Sequence, residues 1–525
     1  MKLPVKRIPL VLAFDHGTSG IKAALADARG AILDFAFVAT TTVFSADGGA
    51  EQDCEEWWRA AVAAAAQLRE RHPQEWSAVR AVAVSSTFST TVALDAAGTP
   101  VRPALSWMDS RGAAAIARRV GGRPSLMGYG LRRATTWLRR SGGAPSLSGK
   151  DDAAHVAWLA DQWPQDYART AVFLPSKDYL NFRLTGVRAA SLDSIQLFWV
   201  TDTRDPWNVR YDDELVRLLG IDRGKLPPLR GSTEILGPLT PAAAVELVLG
   251  RQVQVVCGSP DHQCALLGSG AVRPYEAHLY IGTSSWLEFL MPRRKLDALH
   301  SIAAFPTFVP GLYQCINEQD LAGGALEFLR QLLGRVLAIS GAGGEVAYER
   351  LEEIAASADP GSGGVLFAPW LNGERTPVDD HHARGAFLHL AAATRIEDMV
   401  RAVLEGVAYN TRWSFEYVER FAGRRLEPIR LIGGGAQSDL WCQIFADVLE
   451  REIHRVVDPR HANARGAALL AGLGLGAVEL NQIPDLIPSD RVFRPDSGVA
   501  ELHRRRYRQL VRYYRSNRRV FRTIG

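Results

Sequence analysis

The chain has 525 residues, more than one ordinary hydrophobic core supports, so two large lobes are expected. Apolar residues make up 47% and charged residues 22%, which excludes a disordered or fibrous chain, and no run nears the roughly 18 consecutive apolar residues of a membrane span. Sixty-one basic residues against 57 acidic ones leave a net charge of +4, too small a field to recruit nucleic acid, so neither nucleic acid nor membrane is an expected partner.

Lys2, Lys6 and Arg7 precede an apolar run, but that run stops at Asp15 without a small-residue cleavage pattern and reads as the first strand of a cytoplasmic protein. IPLVLAFD and IKAALAD are strand-like and are joined by GTSG, a hairpin with glycine at the turn. EEWWRAAVAAAAQLRER then carries apolar residues at helical spacing, AVRAVAVSS reads as a buried strand, and AAHVAWLADQW is helical again, which predicts an α/β fold. Gly121–Lys150, rich in Gly, Ser and Arg, reads as a long surface loop that either borders a site or is a tolerated insertion. HLYIGTSSWLEFL repeats the strand–GTS–strand plan far downstream, suggesting two lobes of similar construction that face one another. The last segment interleaves aromatics with arginines, as a single-strand nucleic-acid platform would. Tyr507, Leu510, Val511 and Tyr514 nevertheless fall on one helical face, so a packed helix with solvated arginines is predicted. Cys54, Cys257, Cys264, Cys315 and Cys442 lack CxxC spacing and read as reduced core thiols.

Phosphoryl transfer needs donors around the moving phosphate, a carboxylate-held metal and a base for the attacking hydroxyl. In DHGTSGIK, Asp15 ends a strand, Gly17 permits a tight turn, Thr18, Ser19 and the turn amides suit phosphate oxygens, and Lys22 adds charge. Asp15 suits Mg²⁺ held through water; an ordinary Asp-Gly turn is the bland reading. Gly282 and Thr283 offer a matching turn, and no GxxxxGK[ST] competes as the phosphate site. Gly434 and Gly435, in LIGGGAQSDLW, follow a strand and open a helix, where backbone can approach a base or ribose, with Asp439 in the helix's first turn. Asp261 sits between an apolar strand and a helix, placed either to accept a hydroxyl proton or simply to cap the helix.

EQDCEEWW, WMDSRG, LPSKDYLNFRLTG, PDHQCALLGSG, YIGTSS, PWLNGERTPVDDHHARGAF and IGGGAQSDLW occur in the order seen in FGGY carbohydrate kinases. From about Leu10 to Gly472 the chain resembles that family, nearest its xylulokinase and pentulokinase branch. The resemblance implies an actin-like ATPase (ribonuclease H-like) fold of two lobes, each a mixed sheet flanked by helices, with the active site in the cleft between them. It divides the chain into 1–264, with the sugar and first phosphate motifs, 265–497, with the nucleotide site, and a packed helix over 498–525. It implies an ATP- and Mg²⁺-dependent transfer of the γ-phosphate to a small sugar, a ketopentose such as xylulose or a related ketose or polyol. Asp261 becomes the catalytic base, Asp15 the metal-linked aspartate, and Thr283 a phosphate contact. Gly323, Glu327, Gly435 and Asp439 line the nucleotide, and homodimers are common among such enzymes.

The sugar pocket departs from this pattern. Where xylulokinases carry Gly-Gln-Met-His-Gly, this chain has STFST, with Phe88 and Ser89 replacing the Met-His pair that contacts sugar. A ring donor or acceptor is lost, so another hydroxyl pattern or a bulkier acceptor becomes plausible. Trp107, Asp109 and His262 are further candidates for the sugar site; Trp107 reads equally as core, and Asp109 with Arg111 as a structural ion pair. Glu374 and Arg375 in GERTP read as a paired lobe-packing turn, and His381 and His382 lack the spaced partners of a zinc site. A rival to the kinase is a non-catalytic sugar or nucleotide sensor on the same scaffold, although a sensor needs no base.

Overall fold

The computed structural model describes residues 8–341 and 343–524, so the basic Lys2, Lys6 and Arg7 lie outside the described residues. In the first lobe β1 (Leu10–Gly17), β2 (Gly20–Asp27) and β3 (Ile32–Ala39) form an antiparallel meander. Helix α1 (Cys54–Arg71), its first turn capped by the Asp53 carboxylate accepting from Glu55 N–H, leads to β4 (Val79–Ser86), parallel to β1. After α2 (Ser176–Thr185) comes β5 (Gln254–Pro260), parallel to β4. The sheet order is β3-β2-β1-β4-β5, with Ile235–Pro238 beyond β5. Both faces of this sheet are covered, which is why β1 reads as an unbroken apolar run: Leu12 and Phe14 pack with Trp57 and Trp58, Val11 and Ala13 on the opposite side.

Helix α3 (Asp261–Ser269) leaves β5 directly and leads into the second lobe. There β6 (Ala277–Ile281) and β7 (Ser285–Met291) form the second GTS hairpin, and β8 (Tyr313–Gln319) pairs antiparallel with β7. Helices α4 (Gly323–Ile339) and α5 (Ile396–Ala422) precede β9 (Ile429–Ile432), which runs parallel to β6. Helix α6 (Asp439–Leu449), β10 (Ile453–Val456) parallel to β9, α7 (Ala462–Gly474) and α8 (Ala500–Ile524) complete the chain's order. The core strand order, β8-β7-β6-β9-β10, repeats that of the first lobe in order and direction. The two GTS turns therefore occupy equivalent positions in two copies of one topology.

Helix α7 belongs to the second lobe by sequence but packs on the first lobe's sheet, where Leu469 and Ala467 share a core with Val11, Ala83 and Val256. It crosses α3 at backbone contact: a β-carbon at Gly268 would lie 1.8 Å from the Ala462 carbonyl oxygen, and one at Gly466 1.9 Å from that of Cys264. The expected division between residues 264 and 265 falls inside α3, because this helix is the continuous link between the lobes. The loop expected over Gly121–Lys150 is also corrected. Ser125–Leu126 pairs with Tyr129–Gly130, and Leu131–Arg140 is a helix whose one fully buried side chain, Trp137, donates Nε1–H to the Trp199 carbonyl at 2.9 Å. Arg133 anchors the helix as well, donating to the Arg119 and Gly121 carbonyls at 2.7 Å. Helix α8 packs on the second lobe through Tyr507, Leu510, Val511, Tyr514 and Phe521, leaving Arg505, Arg508, Arg512 and Arg515 exposed. All five cysteines are buried and unpaired.

Strand β5 loses register with β4 between Val256 and Ser259, just before Asp261. Gly258 takes φ +73 there, with Val84 O 2.1 Å from where a β-carbon would stand. Gly258→Ala is therefore expected to cost about 2–4 kcal/mol, combining a left-handed backbone with a backbone clash. Gly423 has nearly the same φ, +74, but open space around it, so Gly423→Ala is expected to cost only about 1 kcal/mol. Urea midpoints of the two variants measure the difference.

Candidate active site

The first hairpin places Asp15 and Lys22 directly opposite one another across β1 and β2, and their side chains meet at 3.5 Å. Asp15 is 4% exposed, and its carboxylate raises the Lys22 ammonium against the pull of burial. In the turn, Thr18 Oγ1 accepts from Trp107 Nε1 at 2.9 Å, which leaves the threonine proton free to donate to an anion. Gln52 Nε2 holds the Thr18 carbonyl at 2.9 Å, and Ser19 is exposed at the tip, its carbonyl taken by Thr40 N–H.

Asp261 opens α3, and one of its carboxylate oxygens accepts the His262 N–H at 2.9 Å. Burial pushes its carboxyl up to about 6; His262 opposes this, while the carboxylates of Asp15 and Glu318 add to it. Asp15 and Asp261, from opposite ends of the first lobe's sequence, thus lie within each other's field. Lys22 feels Asp15, Tyr280 and Asp261 together, so the first hairpin, the base candidate and the second hairpin converge on one space.

In the second hairpin Gly282 N–H bonds the Ser284 carbonyl at 2.9 Å and Thr283 stands exposed. The first amides of α4 turn onto this hairpin: Gly323 N–H bonds Gly282 O at 2.8 Å, and Gly324 N–H bonds Thr283 O at 3.0 Å. The glycine-rich turn after β9 packs on the same hairpin, since β-carbons at Gly433 and Gly435 would both lie 2.4 Å from Ile281 atoms. Gly434 is exposed with nothing within 4 Å, the open point of this turn.

Three residues expected to line the nucleotide also make bonds within the fold. The Gly323 amide is used up on the hairpin. Glu327 is held by Arg330 at 2.6 Å, Tyr348 and Gln331, and chiefly the Arg330 hydrogen bond keeps its carboxyl down at about 2. Asp439 is clamped by Arg455 at 2.6 Å and by Arg491. Asp109, expected at the sugar, is also satisfied by the fold: it is 1% exposed, one oxygen accepting from Ala50 N–H at 3.0 Å and Arg111 Nη2 at 2.6 Å, the other from Arg111 N–H. Ser89 donates to the Lys150 carbonyl at 2.9 Å, so its hydroxyl ties down the end of the 121–150 excursion. Phe88 stays half-buried, edge-on to His262 with 6.3 Å between ring centroids. Glu374 and Arg375 do not pair through their side chains: Arg375 reaches Glu318 and, at 3.3 Å, Asp320, while the buried Glu374 takes Asn410. Among the described residues no three His, Cys, Asp or Glu side chains converge as a metal cluster, and His381 lies exposed 3.5 Å from Asp379.

The N-terminal domain of the FGGY family of carbohydrate kinases matches residues 10–268, and its C-terminal domain residues 277–475. The chain belongs to this family. It is 27% identical over 523 residues to a xylulose kinase of Staphylococcus epidermidis, covering 97% of each chain. A crystal structure of xylulose kinase from Rhodospirillum rubrum superposes with a TM-score of 0.81 at 26% identity, over 98% of this chain and all of that one. Gluconate kinase from Lactobacillus acidophilus shares the fold, with a TM-score of 0.85 at 20% identity over 99% of this chain and all of that one. As an FGGY kinase the chain is an ATP-dependent sugar phosphotransferase with the actin-like ATPase fold. No helix of the described residues is long and apolar enough to cross a membrane.

Several residues that shape this FGGY site went unassigned in the sequence. Lys177 and Asn181, within LPSKDYLN, donate to the Cys257 carbonyl at 2.9 and 2.7 Å, replacing the ladder bond lost at the β5 register break. Glu318 joins the Asp261 cluster from β8, and Glu288 stands behind His262. The legible signal was a lone glutamate inside the apolar run SWLEFLM, since a buried carboxylate needs a partner.

The Asp261 carboxyl is expected to titrate near 6 in carboxyl ¹³C NMR. Glu318→Gln removes one repelling carboxylate and should move that titration downward; an unmoved midpoint would remove Glu318 from the site's electrostatics.

Proposed function

We propose that the cleft transfers the γ-phosphate of ATP to a hydroxyl of a small ketose, with a ketopentose such as xylulose the first acceptor to test. The observation carrying this reading is Asp261: a carboxylate at the mouth of α3, raised toward neutrality by burial, in the same field as Asp15 and Lys22. The xylulose kinase relative of nearly equal length supports the acceptor class. Phe88 and Ser89, in place of the usual pair, keep the individual sugar open.

Asp261 accepts the proton of the attacking hydroxyl as that oxygen engages phosphorus. Thr18 and Ser19 with the first turn, and Gly282 and Thr283 with the second, hold the phosphates from both lobes, with Lys22 adding charge. Gly434 and Gly435 give the adenosine a surface without side chains. Asp15 fits Mg²⁺: it is nearly buried, its carboxylate meets among the described residues only the long contact from Lys22, and one carboxylate plus phosphates and water is an ordinary magnesium shell. When bound, the ion neutralises phosphate charge. A soluble sugar and ATP as substrates support a cytoplasmic setting, and a homodimer is the assembly to test.

Coupled ADP-release assays across pentuloses, hexuloses, aldonates and polyols test the reading. Asp261→Asn is expected to keep ATP binding and lose at least about 10³-fold in kcat with the best acceptor; wild-type turnover in that variant would remove Asp261 from the chemistry. The base works ionised, and its carboxyl is raised to about 6. The wild-type kcat/KM for sugar should therefore be flat above that pH and fall about tenfold per unit below it, as a pH–rate profile will report.

A further inference from the structure

Glu288 is fully buried on β7. One of its oxygens accepts from His262 Nδ1 at 2.5 Å. The other stands 3.2 Å from Nε2 of His278, its cross-strand neighbour on β6, out of line for a hydrogen bond. His278 is itself buried, and burial drives its imidazole down to about 3, so it brings no charge. The remaining groups around His262 are Asp261 on α3, Glu318 on β8, the Gln314 amide on its carbonyl at 3.3 Å, and the rings of Trp286 and Phe88. All the charges facing this imidazole are negative. Burial works against its protonation, and raises Glu288 too, but pairing with Glu288 prevails on the imidazole and pushes it up to about 10. Its Nε2 has no protein partner among the described residues, and 10% of the side chain remains exposed.

We infer that Glu288 is a positioning residue for the sugar: it anchors His262 by Nδ1 and keeps Nε2 protonated, as a donor to an acceptor oxygen beside the hydroxyl that Asp261 deprotonates. The inference rests on the kinase reading above. A neutral ring anchored at Nδ1 would present a lone pair at Nε2 and select a hydroxyl proton instead. Glu288 thereby sets whether Nε2 donates to a substrate oxygen or accepts from a substrate hydroxyl, and favours acceptors with an electron-rich oxygen there, such as a ketose carbonyl.

Glu288→Gln in the full chain keeps an acceptor for Nδ1–H but removes the charge. With D-xylulose as probe, its KM at about pH 8 is expected to rise at least about tenfold and to recover toward about pH 6, while the KM for ATP changes by less than about twofold. The wild-type sugar KM should not vary over that range. In ¹⁵N NMR of the free wild-type protein, both His262 ring nitrogens should be protonated at about pH 8, and Nε2 should lose its proton in the variant. A neutral wild-type ring at that pH, or a variant whose sugar KM is as flat as wild type, overturns the inference. If the variant does not fold, or xylulose is not turned over, the wild-type ring titration decides alone. Absence of any sugar phosphorylation by the wild type would instead sink the kinase reading.

Discussion

The position of Asp261 is set by backbone, not by its own side chain. Helices α3 and α7 touch through Gly268 and Gly466 with no room for a β-carbon, so the start of α3 is pinned where the lobes join. The strand feeding α3 reaches this point by breaking register at Gly258, which orphans the Cys257 carbonyl. Lys177 and Asn181 satisfy that carbonyl, but a fully buried ammonium needs its own counter-charge, supplied by Asp178, whose second oxygen takes the Ser194 hydroxyl at 2.5 Å. Asp193 continues the chain of obligations to Ser232 at 2.8 Å and to Ser259 at 2.5 Å, inside the irregular stretch itself. One displaced peptide thus explains a network of buried polar groups that would otherwise be a net cost.

Charge in the cleft is arranged around that fixed point. Asp15, Asp261 and Glu318 supply negative charge; Lys22, Arg375 and His262 answer it, each from a different element. Lys22 is 45% exposed on its side chain and only 3.5 Å from Asp15, a loose pair that can exchange for phosphate oxygens. Arg375 is bound by both Glu318 and Asp320 and is not free in the same way. Mobile charge therefore sits toward the phosphate hairpins, and fixed charge toward the base, which suits a site where the acidity of one carboxyl has to be held constant while a polyanion arrives and leaves.

Local signals account for what was legible in the sequence. Both GTS hairpins, the strand-to-helix turn at Asp261 and the glycine turn at Gly434 announce themselves through glycine and strand-length apolar runs, and the structure forms each of these turns. Contacts between distant segments left no such mark. Arg375 abandons its neighbour Glu374 for Glu318, and Asp439 answers Arg455 and Arg491, because ion pairs follow the fold and not the spacing. Glu327 likewise turned to Arg330, one helical turn away, a structural partner that its i,i+3 spacing did allow one to read. Composition alone also misses the helix at 131–140, which is held by the buried Trp137 ring together with Arg133, whose guanidinium caps the Arg119 and Gly121 carbonyls, and Arg140, paired with Asp212 and Glu214.

That excursion bears on how the lobes move. Arg294, beyond β7 in the second lobe, donates to the Arg140 carbonyl at 2.7 Å and to Thr203 Oγ1 at 2.9 Å, and Tyr313 hydroxyl reaches the Thr203 carbonyl at 2.9 Å. The lobes therefore meet through backbone at α3 and α7 and, at this rim, through these polar contacts and through Phe305 against Trp199, with 5.8 Å between ring centroids. Backbone packed on backbone at α3 and α7 cannot slide without collision. Arginine-to-carbonyl bonds at the rim can be traded for water at small net cost, whereas the ring contact beside them loses apolar burial when broken. The far end of the same excursion holds Ser89, next to Phe88, through the Lys150 carbonyl. If Phe88 lines the sugar pocket, as proposed, an acceptor that packs on it adds to the contacts that hold the two lobes together.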